Sequence, residues 1–145
     1  MQDRVVLCLL DARDTSHAGV RYAATLAHQL GIRLALMHVI EPMPVTHWLS
    51  LAEDAALEQE RAAQDLAQRM AETAYAVTHT AAMQYIERGV QREQLLNVLR
   101  LNKDIVHLVL TGAIGSDPGA LISALSREGG SIPVPVTAVP GTVLN

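Results

Sequence analysis

Short unbroken apolar runs alternate along this chain with longer stretches in which apolar residues recur every three or four positions. The runs are Val5–Leu10 (VVLCLL), Leu34–Ile40, 106–110 (VHLVL) and 134–139 (VPVTAV). Continuous runs of this length mark strands buried on both faces, as in parallel sheets. Residues 82–87 (AMQYIE) alternate instead, which suits a less buried edge strand. A helix capped by Asp14, Thr15 or Ser16 is expected to run to Leu30, with Val20, Ala23, Ala24, Ala27 and Leu30 as its apolar stripe and Gly31 as its stop. Pro42 and Pro44 then impose a loop carrying Trp48, and Ser50-Leu51-Ala52-Glu53 reads as a capping box. The helix it opens extends to Tyr75 or Val77, with Ala63, Leu66, Met70 and Ala74 on one side. A third helix spans Arg92–Leu101, burying Leu95, Leu96, Val98 and Leu99. A fourth spans Pro118–Glu128, with Asp117 as N-cap and Pro118 as first helical residue.

The order is β-α-β-α-β-α-β-α-β. This predicts a single α/β domain over residues 1–145, built on a doubly wound parallel five-stranded sheet. Ligands of such sheets bind beyond the carboxyl ends of the strands, where the strand order reverses. Asp11 and Gly112 both occupy such ends. Gly112, Gly115 and Gly119 follow the strand at 106–110 as a glycine turn leading into a helix. Such a turn lets backbone approach a bound anion, or simply lets the chain turn tightly.

Composition narrows the function. The net charge of −4 and pI near 5.8 argue against a broad nucleic-acid face. The one cysteine, Cys8, lies inside an apolar run and is expected to be a buried structural thiol in a reducing compartment. MQDRVV lacks the apolar region of a signal peptide, and no apolar run reaches bilayer length, so a cytoplasmic protein without membrane insertion is expected. The six histidines show no metal-ligand spacing, and His38 and His107 are expected as core histidines with satisfied hydrogen bonds. The expectation for Trp48 is packing over a helix. There is no G-x-S-x-G elbow or Walker lysine, and no Lys or Arg lies between Lys103 and Arg127. The residues therefore predict a protein that is not an enzyme.

VVLCLLDARDTSHAGVRYAATLAHQLGIRLALMHVIEP, IERGVQREQLL, Gly112-Ala-Ile-Gly115 and PVPVTAV occur in an order and spacing that resembles the universal stress protein family over nearly the whole chain. The resemblance implies a Rossmann-like sheet, similar to the adenine nucleotide alpha hydrolases, with strand order 3-2-1-4-5. It implies homodimers, and in one branch ATP or AMP, with Mg or Mn, between strands 1 and 4; a slow, metal-dependent ATPase activity is an alternative that rests on the resemblance alone. On this pattern Asp11 corresponds to the aspartate near adenine and ribose, Val39 to the valine whose backbone meets adenine, and Gly112 and Gly115 to the first two loop glycines. Counted forward from Gly115, the family spacing to a third glycine and a hydroxyl reaches Leu125 and then Ser126. Counted back from Pro133 it falls on Ile122 and Ser123, in a loop three residues short.

Two readings therefore stand for each residue. Asp11 binds a ribose hydroxyl or serves its own turn, and Ser123 meets phosphate or bonds its own backbone. The expectation is weak or no nucleotide binding and no required cofactor. Function then rests on contacts with unidentified protein clients, through a homodimer formed on the last strand at Val136, Thr137, Ala138 and Val139. The alternative is an ATP- or AMP-binding switch of the same fold. A phosphorylated receiver domain shares the βα pattern, but the acidic pair, strand-end aspartate and lysine it needs do not match here.

Overall fold

Val5–Leu9 carries no polar side chain, so it is stable only with a neighbour on each edge and a helical layer on each face. It becomes β1, the central strand of the computed structural model. The structure describes residues 3–42, 49–129 and 132–143, without the side chains of 49–52 and 128–129. Trp48 lies outside the described residues, as does the serine side chain of the expected capping box. The order is β1 (Val5–Leu9), α1 (Ala18–Leu30), β2 (Arg33–Ile40), α2 (Leu49–Thr78), β3 (Met83–Arg88) and α3 (Gln91–Leu101). There follow β4 (Ile105–Thr111), α4 (Gly112–Ser116), α5 (Gly119–Gly129) and β5 (Val136–Pro140). The sheet runs β3-β2-β1-β4-β5 and every pairing is parallel.

The two-residue period of the strands divides the interior into two cores. Val5, Leu7 and Leu9 join Met37, Val39, Leu108 and Leu110 beneath Leu95, Val98 and Leu99 of α3 and Leu125 of α5. Val6 and Cys8 face the other way, with Leu36 and Val109, against the alanine face of α1 and Leu66, Met70 and Ala74 of α2. Cys8 is fully buried, and burial, reinforced by the negative charge of Asp14, pushes its thiol far above its ordinary range.

Four local expectations are corrected. Leu30, placed on the buried stripe of α1, is 52% exposed, because the helix is closing on Gly31 at that point. The N-cap of α1 is His17, in the left-handed region at φ 56°. Asp14 and Ser16 act one step earlier: Asp14 accepts from the Ser16 N–H, and the Ser16 hydroxyl accepts from the Ala18 N–H. The second helix already begins at Leu49. Asp117 does not open α5. Its N–H bonds to the Ala113 carbonyl and closes α4, while α5 starts at Gly119 with the Ile122 N–H on the Pro118 carbonyl.

After β5 the chain crosses back over the carboxyl edge of the sheet. Gly112 bridges to Pro140, and Asp14 forms an antiparallel bridge with Val143. The Thr15 N–H donates to the Thr142 carbonyl at 2.7 Å. No described helix is long and apolar enough to cross a membrane.

Candidate functional site

Strands β1 and β4 diverge into helices on opposite faces of the sheet, and the two chain segments leaving them meet at Asp11. Its N–H donates to the Thr111 hydroxyl (3.1 Å), which donates in turn to the Leu9 carbonyl (2.9 Å). Its carboxylate, 6% exposed, accepts from the Arg13 N–H (2.9 Å), Arg13 Nε (3.2 Å), the Arg13 guanidinium NH2 (3.2 Å) and the Ala113 N–H (2.8 Å). A carboxylate offers about four lone-pair sites, so four donors saturate it. Burial pushes this carboxyl's pKa up. The Arg13 and Ala113 hydrogen bonds and the guanidinium charge more than offset that, and it lies below its ordinary value of 3.8.

The loop glycines belong to the same knot. Gly112 sits at φ +59°, and a Cβ there would lie 2.7 Å from the Asp11 side chain. A Cβ on Gly115 would lie 2.3 Å from the Val139 carbonyl oxygen and 2.8 Å from that of Leu110. The sequence reads as an open glycine turn here, but the chain forms the helical turn α4 and packs it directly on β4 and β5. The missing side chains admit the Asp11 carboxylate at Gly112 and the backbone of Val139 and Leu110 at Gly115.

The remaining candidate residues separate. Val39 is buried, and borders a cleft of about 230 Å³ with Ala12, His38, Glu41, Gln59 and Ala62. His38 departs from expectation: its Nδ1 is buried without a hydrogen-bond partner. Burial lowers the His38 pKa against the opposing pull of Asp11, which favours a neutral ring. His107 does find a partner, with Nε2 2.7 Å from the Thr137 hydroxyl. Ser123 is exposed on α5, whose Leu121 and Leu125 turn toward the core, so it does not join Asp11. A second cleft, of about 320 Å³, opens between α3, α4 and α5, with Glu41 and Asp117 on its rim. Asp11, Gly112, Gly115 and Ser123 line neither cleft. Among the described residues no three metal-ligating side chains converge.

Sequence reasoning missed Arg13. No Lys or Arg lies between Lys103 and Arg127, yet a cation does reach the site, from two positions past Asp11. The signal was present as Asp-x-Arg at a strand end, since an aspartate there bonds the N–H two residues on.

Two outcomes are expected. Gly115→Ala overpacks α4 against β5 and lowers stability by about 1–3 kcal/mol, read as a fall in Tm. Asp11→Asn removes the charge that Arg13 and Ala113 converge on, at about 1–3 kcal/mol at pH 7. Because the folded pKa of Asp11 is lowered, its contribution is complete above 3.8 and is lost as pH falls through the folded value. The variant should therefore show a shallower loss of stability below that pH in urea titrations.

In known structures the same fold recurs over essentially the full chain. A universal stress protein UspA from Lactobacillus plantarum superposes with a TM-score of 0.74 at 15% identity, covering 98% of this chain and 99% of that one. A universal stress protein solved in complex with cAMP gives 0.67 at 16% identity, over 98% and 100%. One from Archaeoglobus fulgidus in complex with dAMP gives 0.64 at 12% identity, over 98% and 100%. No curated protein matches the sequence. The universal stress protein family matches residues 3–140, carrying β1 through β5, and the chain belongs to that family.

Proposed function

We propose that this chain is a homodimeric, cytoplasmic stress-response regulator that works through protein contacts and binds nucleotide weakly or not at all. The observation that carries the reading is the saturated carboxylate of Asp11, whose four acceptor positions are taken by Arg13 and Ala113. A ribose hydroxyl arriving there must displace one of them. The close packing of Gly115 on Val139 supports the same conclusion, because it leaves no gap for phosphate at that glycine. The adjoining cleft is lined by Asp117 and Glu41 as well as Arg92, so its lining carries no net positive charge to attract a phosphate. The reading assigns the protein no catalytic step and requires no cofactor.

The alternative is an ATP- or AMP-responsive switch. It is favoured by two relatives of the same fold, one solved with cAMP and one with dAMP. Calorimetry with ATP and Mg²⁺ or Mn²⁺ separates the two. We expect no binding in the low micromolar range. A low-micromolar dissociation constant abolished by Asp11→Ala would make the switch the better account.

The dimer is assigned to the free edge of β5, at Val136, Thr137, Ala138 and Val139. This edge has no charged residue to discourage pairing. Val136 and Val139 also pack on the subunit's own cores, so a charge at either would test folding as much as assembly. Ala138 is exposed. Ala138→Glu is therefore expected to give a folded monomer in sedimentation, and an unchanged dimer would exclude this edge.

A further inference from the structure

Arg13 holds the strand-end carboxylate in a way that differs from the other groups around it. Two of the four donors on Asp11 are backbone N–H groups, of Arg13 and Ala113, fixed by the turn and by α4. The other two belong to one side chain: Nε on one oxygen and a terminal guanidinium nitrogen on the other, both at 3.2 Å. The two partners of this ion pair differ sharply in exposure, with 6% for the Asp11 side chain and 57% for that of Arg13. The guanidinium therefore covers the carboxylate from the solvent side. It can swing into water without disturbing a strand, a helix or either core, whereas the backbone donors cannot leave.

We infer that Arg13 is a built-in competitor for the ligand position at Asp11, an arm that must be drawn off before any hydroxyl-bearing ligand reaches the carboxylate. The inference rests on the reading of weak nucleotide binding above, and gives that weakness a removable cause beside the fixed packing of Gly112 and Gly115. It also defines the ligand that overcomes the arm. Such a ligand brings O–H donors to replace the guanidinium on Asp11, and an anionic group to pair with the displaced guanidinium. A phosphorylated ribose compound has both. Its uncharged counterpart supplies only the first, and leaves the arm without a partner.

Size follows from exposure. A partly exposed ion pair is worth about 0.2–1 kcal/mol, so holding the arm away weakens a ligand by about one and a half- to fivefold. The arm is thus a bias that a phosphate can cancel. It lies two residues from Asp11 in the chain, so the bias travels with the turn itself.

The test compares adenosine and AMP on the wild-type protein and on Arg13→Ala, by NMR titration with circular dichroism as a check on folding. Removing the arm should raise adenosine affinity about one and a half- to fivefold and shrink the preference for AMP over adenosine. In the wild-type protein both ligands should shift the Arg13 Nε–H resonance as they displace it from Asp11, AMP at the lower concentration. Arg13→Lys keeps the charge but loses the two-pronged contact, and should fall between the two for adenosine while retaining a preference for AMP. A folded Arg13→Ala protein with no gain for adenosine overturns the inference and leaves the weak-binding reading standing. Undetectable adenosine binding to both proteins counts as no gain. Tight AMP binding to the wild-type protein sinks the weak-binding reading by itself, and the adenosine gain then decides the role of Arg13 separately.

Discussion

One buried carboxylate joins the two halves of this fold at the point where they separate. Asp11 lies two residues past the central strand, and its oxygens reach across to Ala113 at the start of α4 and on to Arg13 in the following turn. Its own N–H is tied to Thr111, the last residue of β4. An unpaired charge this deeply buried would be strongly unfavourable. The four donors make the site tenable, and they also dictate local structure: Gly112 must lack a side chain, α4 must start at once, and Gly115 must settle against Val139. The shape of the carboxyl edge follows from satisfying one aspartate.

In a doubly wound sheet the space above the central strands is where a ligand ordinarily supplies hydrogen-bond partners. Here the chain supplies them itself. The relatives solved with cAMP and dAMP share the sheet and its order but only 16% and 12% of their residues with this chain, so the likeness reaches the scaffold alone. At this edge stand a side chain from the first turn, a helix where a loop was expected, and a segment after β5 paired with Asp14 and Thr15.

Much of this was legible in the residues. VVLCLL admits little besides a central parallel strand, and the glycine and proline punctuation located nearly every element to within a few positions. The failures have a common physical origin. Gly112-Ala-Ile-Gly115-Ser reads as loop because glycine disfavours helix by about 1 kcal/mol per residue, but tertiary packing on Val139 and capping by Asp11 outweigh that local preference. His38 was expected to find a partner because most buried polar atoms do, and no pattern in a single strand announces an exception. Arg13 was overlooked because sequence distance from the glycine stretch stood in for spatial distance. Ser123 entered the candidate site through family spacing alone, although the predicted helix already contained it, and on α5 its side chain is exposed.

The terminal segment has a consequence for how the molecule is made. The central strand β1 is synthesised first but cannot complete its edges until β4 arrives about a hundred residues later, since Val6 pairs with His107. Contacts between such distant parts of a chain slow folding, and exposed strand edges invite wrong partners in the interval. The carboxyl edge is sealed later still, when Thr142 and Val143 dock on Thr15 and Asp14. The contact between Thr15 and Thr142 thus ties the turn after β1 to the segment after β5, across almost the whole described chain.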